Sequence, residues 1–135
     1  MDKISNQEFF SAIVSSNILL PYLEHDPALL EMIQAPDHPD IHYFENPAPA
    51  NELAPRLRHR LNAMIAKNLS HNLEATGQLV AFMEEHPDSL IYNVTFNCPA
   101  QHYGVRCGWN GGQLHVICVM TGGHLSGELL GGSIK

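Results

Sequence analysis

HYGVRCGWNGGQLHVICVM, residues 102–120, decides the fold. At its centre stands Asn110-Gly111-Gly112, and Asn-Gly is a preferred two-residue type I′ turn between antiparallel strands. With Asn110-Gly111 as the loop, Trp109 faces Gly112, Cys107 faces Leu114, Val105 faces Val116 and Tyr103 faces Cys118. Every one of those pairs is apolar or small. The opposite face then sets His102, Gly104, Arg106 and Gly108 against Val119, Ile117, His115 and Gln113. A three-residue loop would slip the pairing by one position and set apolar against polar. Gly111-Gly112 is the alternative two-residue loop. The stretch reads as a hairpin with one face in a core and His102, Arg106 and His115 on a solvated one.

The same period continues upstream. Leu90, Tyr92, Val94, Phe96 and Cys98 alternate with Ile91, Asn93, Thr95 and Asn97, which is the pattern of a half-buried strand. Cys98, Cys107 and Cys118 then all point at the core, where burial raises a thiol pKa and makes it inert. In this register Cys107 and Cys118 are roughly 13 Å apart at ~3.3 Å per residue, beyond the ~7 Å reach of a disulfide.

Before residue 90 the period is helical. Ser5-Asn6-Gln7-Glu8 matches a capping box, followed by Phe9, Phe10, Ile13 and Val14 on one face and a polar stop at Ser15-Ser16-Asn17. Asp26-Pro27 reads as an N-cap with proline at the first helical position, opening a short helix with Leu29, Leu30 and Ile33 on its apolar side. From Ala35 to Pro55 come five prolines, so residues 35–50 read as a Pro-rich loop, packed down by Ile41, Tyr43 and Phe44. Asn51 can cap the next helix, placing Pro55 in its first turn. Leu53, Leu57, Leu61, Met64/Ile65, Leu69, Leu73, Val80 and Met83 keep a near-3.6 period to Glu85. That is one helix or two, with Asn68-Leu69-Ser70 as the break and Ser70 as the second cap. His86-Pro87-Asp88-Ser89 closes it.

These elements fit one α+β domain over residues 1–135. Helices occupy about 5–86 and pack on one face of a three-stranded antiparallel meander at about 90–120, with a Gly-rich tail at 121–135. Three strands leave two edges, either of which can pair with a second copy to form a homodimer. The N-terminus lacks a basic stretch followed by an apolar core, and no apolar run approaches the ~20 residues of a membrane span. Three cysteines fit a reducing compartment, so the expectation is a cytoplasmic protein without a membrane partner.

The formal charge is −7, unevenly spread. Residues 1–52 hold nine carboxylates against one lysine, a net −8, whereas Arg56, Arg58 and Arg60 follow in one cluster. A net acidic surface repels phosphate backbones and attracts basic proteins, so nucleic acid is not the expected partner.

Four groupings can carry chemistry. Cys98 with His102 is a nucleophile–base pair only if the thiol is exposed. His38 and His42 beside Asp37 and Asp40 offer metal-ligand types without a metal-site spacing. Thr121-Gly122-Gly123-His124 is a short anion-loop pattern. The sharpest is His102, Arg106 and His115 on one sheet face: two imidazoles for general acid–base work and a guanidinium for a phosphate, the equipment of a metal-independent ribonuclease. Helices followed by a meander also resemble, in outline only, small bacterial RNase toxins. Against this stand the acidity and the fact that any half-exposed sheet shows such residues.

The composition therefore favours a binding protein without cofactor, metal or catalytic residues. It would mask a basic partner, a toxin or effector, as a bacterial immunity or antitoxin-type inhibitor or secretion adaptor. The acidic half would steer association. Asp37, Asp40, Tyr43, Phe44 and Glu45 would form the contact, with the two aromatic residues as anchors.

Overall fold

The computed structural model describes residues 4–44 and 46–122. Helix α1 (Asn6–Ser15) starts where the capping box placed it: Ser5 Oγ accepts the Glu8 N–H at 3.1 Å, and Glu8 Oε1 accepts the Ser5 N–H at 3.0 Å. It stops at Asn17, whose φ of 59° is a left-handed conformation that asparagine tolerates. After α2 (Leu20–Leu23), helix α3 (Pro27–Met32) is capped by Asp26, whose Oδ1 accepts the Leu29 N–H at 3.3 Å. Its buried stripe is Leu29 and Met32, with Ile33 half-buried. Leu30 is 45% exposed, not core as expected, because one residue along a helix turns the side chain by about 100°.

The Pro-rich segment is not only loop. It contains β1 (Ile41–Tyr43) and β2 (Ala48–Pro49), and both pair antiparallel with β3 (Leu90–Asn97). Ile41 lies opposite Phe96, and Ala48 opposite Ile91. Completed by β4 (His102–Asn110) and β5 (Gln113–Gly122), the sheet has five strands in the order β1-β3-β4-β5, with β2 also beside β3. The expected meander is β3-β4-β5, and β1 and β2 extend the sheet beyond β3. Proline fits β2 because that strand lies at an edge.

Helix α4 (Ala50–Ala66) starts one residue before Asn51, with Pro49 in the cap position and the Ala50 N–H donating to the Ser89 carbonyl at 2.9 Å. Pro55 thus falls inside the helix rather than in its first turn, and the Asn51 carbonyl loses its intrahelical donor. The long periodic segment is two helices. Asn68 and Asn72, at φ 55° and 59°, break it before α5 (Leu73–Glu85), so Asn72, not Ser70, holds the cap position. The Asn72 amide makes no cap bond because it is used elsewhere. Its Oδ1 accepts the Thr121 N–H at 3.0 Å and its Nδ2 donates to the Thr121 carbonyl at 2.9 Å. A side-chain amide thereby takes the place of a strand partner on β5.

Helices cover both faces of the sheet, not one. On the first face α1–α3 pack on Tyr92, Val94, Phe96, Tyr103, Val105 and Cys107. On the second, α4 and α5 pack on Ile91, Cys118 and Met120. β3 is therefore buried along its middle on either side, Asn93 and Thr95 included, instead of being half-wet.

The hairpin loop is Gly111-Gly112, at φ 58° and 83°, so Asn110 pairs with Gln113. This is the alternative loop, and it moves every pair by two positions, which preserves the faces. A bulge then breaks the ladder. Cys107 faces Val116, but Arg106 faces Cys118, and Ile117 has no opposite residue. One extra residue turns the rest of β5 over. Cys118 therefore lies on the α4–α5 side, away from Cys107, and Val119 lies on the α1–α3 side. Gly108 is needed where Phe82 crosses the sheet: a Cβ there would sit 2.3 Å from the ring.

Candidate binding surface

The layer made by α1–α3 and the segment leading into β1 carries one sign of charge. Residues 4–44 include Glu8, Glu24, Asp26, Glu31, Asp37 and Asp40 and no lysine or arginine. Five of the six carboxylates are exposed, all but Asp26. Leu20 and Leu30, 59% and 45% exposed, stand on the same layer. The described cations other than Arg106 all belong to α4 and the residue after it: Arg56, Arg58, Arg60 and Lys67. Arg58 holds Glu84 of α5 through two hydrogen bonds, at 2.6 and 3.0 Å.

Within the acidic layer, an open cleft of about 470 Å3 separates the start of α1 from the Pro36–Tyr43 segment. Pro36, Ile41 and Tyr43 form its apolar part, while Asn6, Gln7 and Asp37 bring polar groups. The Tyr43 hydroxyl donates to the Pro36 carbonyl at 2.7 Å, which fixes the ring. Burial, followed by the nearby Asp37 carboxylate, pushes that phenol up to about 12. His38 also lines the cleft. Its Nδ1 accepts the Asp40 N–H at 3.1 Å, and its Nε2 lies 3.9 Å from Glu31.

Of the expected contact residues, Asp37 and Asp40 are exposed, whereas Tyr43 and Phe44 are half-buried. The Phe44 N–H donates to the Asn93 carbonyl, and its ring lies 4.8 Å from His42. Glu45 and residues 123–135 lie outside the described residues. The sequence reading missed Asn6, Gln7 and His38 as lining residues, and Leu20 and Leu30 as exposed apolar groups. A stricter helical count would have found Leu30, since Leu29, Met32 and Ile33 already complete the buried stripe.

The His102–Arg106–His115 grouping does not converge on a wet surface. Arg106 is fully buried; its Nη1 donates to Asn93 Oδ1, and Asn93 Nδ2 in turn donates to Thr95 Oγ1 at 3.3 Å. His102 pairs with Gly122 and His115 with Gly108, six positions away along β4, or about 20 Å at ~3.3 Å per residue. His115 instead meets His86, their rings stacked at 5.9 Å and both against Phe82, with the Asn110 amide 3.1 Å from His86 Nδ1. No three histidine, cysteine or acidic side chains are gathered to hold a metal ion among the described residues. No helix among them is long and apolar enough to cross a membrane.

All three cysteines are free and buried, and each thiol is pushed up to about 12. Burial is the main cause in each. Asp26 adds to it at Cys98 and Cys118 adds to it at Cys107, while Arg106 pulls the other way on Cys107 and Cys118. Tyr103 is raised to about 12 by burial and its bond to Asp26. In the unfolded chain these groups lose protons near pH 8.5 to 10. Their contribution to stability is thus complete below about pH 8.5 and disappears as pH climbs toward 12, because the unfolded state releases protons first. Thermal melts should show a melting temperature that changes little between about pH 7 and pH 8.5 and falls beyond it. A thiol that reacts with iodoacetamide in the native protein as fast as free cysteine would contradict this burial. No protein-family model, curated protein or solved structure matches this chain.

Proposed function

We propose that the protein is a non-catalytic binding protein whose acidic α1–α3 layer masks a basic surface on a partner protein. A toxin or effector held by an immunity-type inhibitor, or a cargo held by a secretion adaptor, has the chemistry required. The observation that carries the reading is charge segregation across the sheet: five exposed carboxylates and no lysine or arginine on the described part of one layer. A one-signed patch accelerates encounter and rejects like-charged competitors. Affinity comes from apolar groups that lose water at the centre of such a patch. Leu20 and Leu30 are the exposed candidates for that role, and Tyr43 and Phe44 are half-buried ones.

The test is affinity capture from lysate of the source cells at low and high salt. The protein is compared with a Glu24→Lys, Glu31→Lys, Asp40→Lys variant, and retained proteins are identified by mass spectrometry. The expected result is a basic protein retained at low salt, weakened at high salt, and bound on the order of 10²-fold less tightly by the variant. Retention of no protein by the wild type, or equal retention by the variant, refutes the reading.

A further inference from the structure

The cleft at the start of α1 is more specific than a charged surface. Its walls combine a carboxylate, Asp37, with two side-chain amides, Asn6 and Gln7, above the apolar surface of Pro36, Ile41 and the Tyr43 ring. A volume of about 470 Å3 lies within the range of small-ligand sites, about 300–1,000 Å3. That leaves room for one long side chain and the backbone that presents it.

The lining selects the ligand's charge. A helix start ordinarily attracts anions. Here Glu8 already serves that end of α1: its carboxylate accepts the Ser5 N–H while Ser5 Oγ accepts the Glu8 N–H. The neighbouring groups are acidic, with Asp40 bonded through its N–H to His38, and His38 Nε2 directed toward Glu31. His38 is the one cationisable side chain in the lining, and its Nε2 lies 3.9 Å from the Glu31 carboxylate. Burial is the larger cause of the upward shift of Tyr43, and the part contributed by the Asp37 carboxylate has the same sign, opposing added negative charge.

We infer that this cleft receives an arginine side chain from the basic partner. The guanidinium fork meets the Asp37 carboxylate and the Asn6 and Gln7 side-chain carbonyls, and the stem and guanidinium plane lie against Pro36 and Tyr43. Guanidinium suits this lining better than ammonium because it is planar, carries five donors, stacks on aromatic rings and is more weakly hydrated. The inference rests on the acidic layer being the docking surface.

The probe is Nα-acetyl-arginine amide, titrated into the isotope-labelled protein and followed by NMR. Saturable shifts are expected at the amides of Asn6, Gln7, Asp37, His38 and Tyr43, with an affinity in the millimolar range suited to one side chain. Asp37→Asn should weaken binding about tenfold, the acetyl-lysine amide should bind more weakly, and the acetyl-glutamate amide should give no saturable shifts. No saturable shift up to about 50 mM, or equal affinity in Asp37→Asn, overturns the inference. The two readings separate cleanly. If the probe fails while the charge-reversed variant still releases a basic partner, only the cleft assignment falls. If the probe binds as expected but no basic protein is retained, the docking reading falls and a guanidinium site stands.

Discussion

Asp26→Ala should lower stability to urea by about 2–4 kcal/mol. Asp26 is buried, and both its carboxylate oxygens are used. Oδ1 caps α3 at the Leu29 N–H, and Oδ2 accepts the Tyr103 hydroxyl at 2.7 Å from the middle of the sheet. Alanine removes the cap, worth about 1 kcal/mol, and strands the Tyr103 hydroxyl in a site 3% exposed, worth about 1–3 kcal/mol more. Asp26→Asn keeps one oxygen for the cap, and its amide NH2 can donate to the Tyr103 hydroxyl oxygen in place of the lost acceptor, so it should cost about 1 kcal/mol. Combining Asp26→Ala with Tyr103→Phe should be less than additive by about 1–2 kcal/mol, because the phenylalanine has no donor to strand. Additive losses would mean that the bond does not tie α3 to β4.

The second large effect is expected at Arg106. Arg106→Ala should cost about 3–5 kcal/mol, since it empties a volume in the interior and takes the guanidinium away from the buried Asn93. Arg106→Lys should remain well below wild type, because a compact, strongly hydrated ammonium is costlier to bury than the guanidinium whose Nη1 donates to Asn93. Urea midpoints with an unchanged slope would measure both. A loss under about 1 kcal/mol for Arg106→Ala would show that the buried guanidinium does not hold the sheet together.

Local signals in the chain were reliable where the physics is local. Ser5 with Glu8, Asp26 with Pro27, and the break at Asn68 act within a few residues, so their outcome scarcely depends on the rest of the molecule, whereas the cap falls at Asn72 and not at Ser70. The alternation from Leu90 to Cys98 likewise marked β3 correctly. It did not reveal that Asn93 and Thr95 are buried, since polar residues at every second position imply water only when nothing covers them. β1 and β2, three and two residues long, carry too little pattern to be seen among prolines, and exist because β3 offers them a partner. The bulge between Arg106 and Cys107 has no local mark either. It turns Cys118 to the side of α4 and α5 beside Arg106, whereas the proposed catalytic grouping is separated by the Gly111-Gly112 loop, which sets His115 opposite Gly108 instead of Arg106, and by the burial of Arg106.

Of the binding surface, Asp37 and Asp40 were readable as charges and Tyr43 and Phe44 as aromatic residues. The cleft was not, since Asn6 and Gln7 line it together with Asp37 only through the packing of α1 against the sheet.

Residue order alone established α1, α3, the helical α4–α5 region, the strands β3–β5, the inward-facing thiols and a chain whose acids come early and whose arginines come later. Only the folded arrangement decided that this order along the chain becomes an opposition across the sheet. Both faces of β3–β5 carry enough apolar surface to need a cover, and the two helical groups take one face each. That choice depends on contacts between residues far apart in the chain, which no local period records.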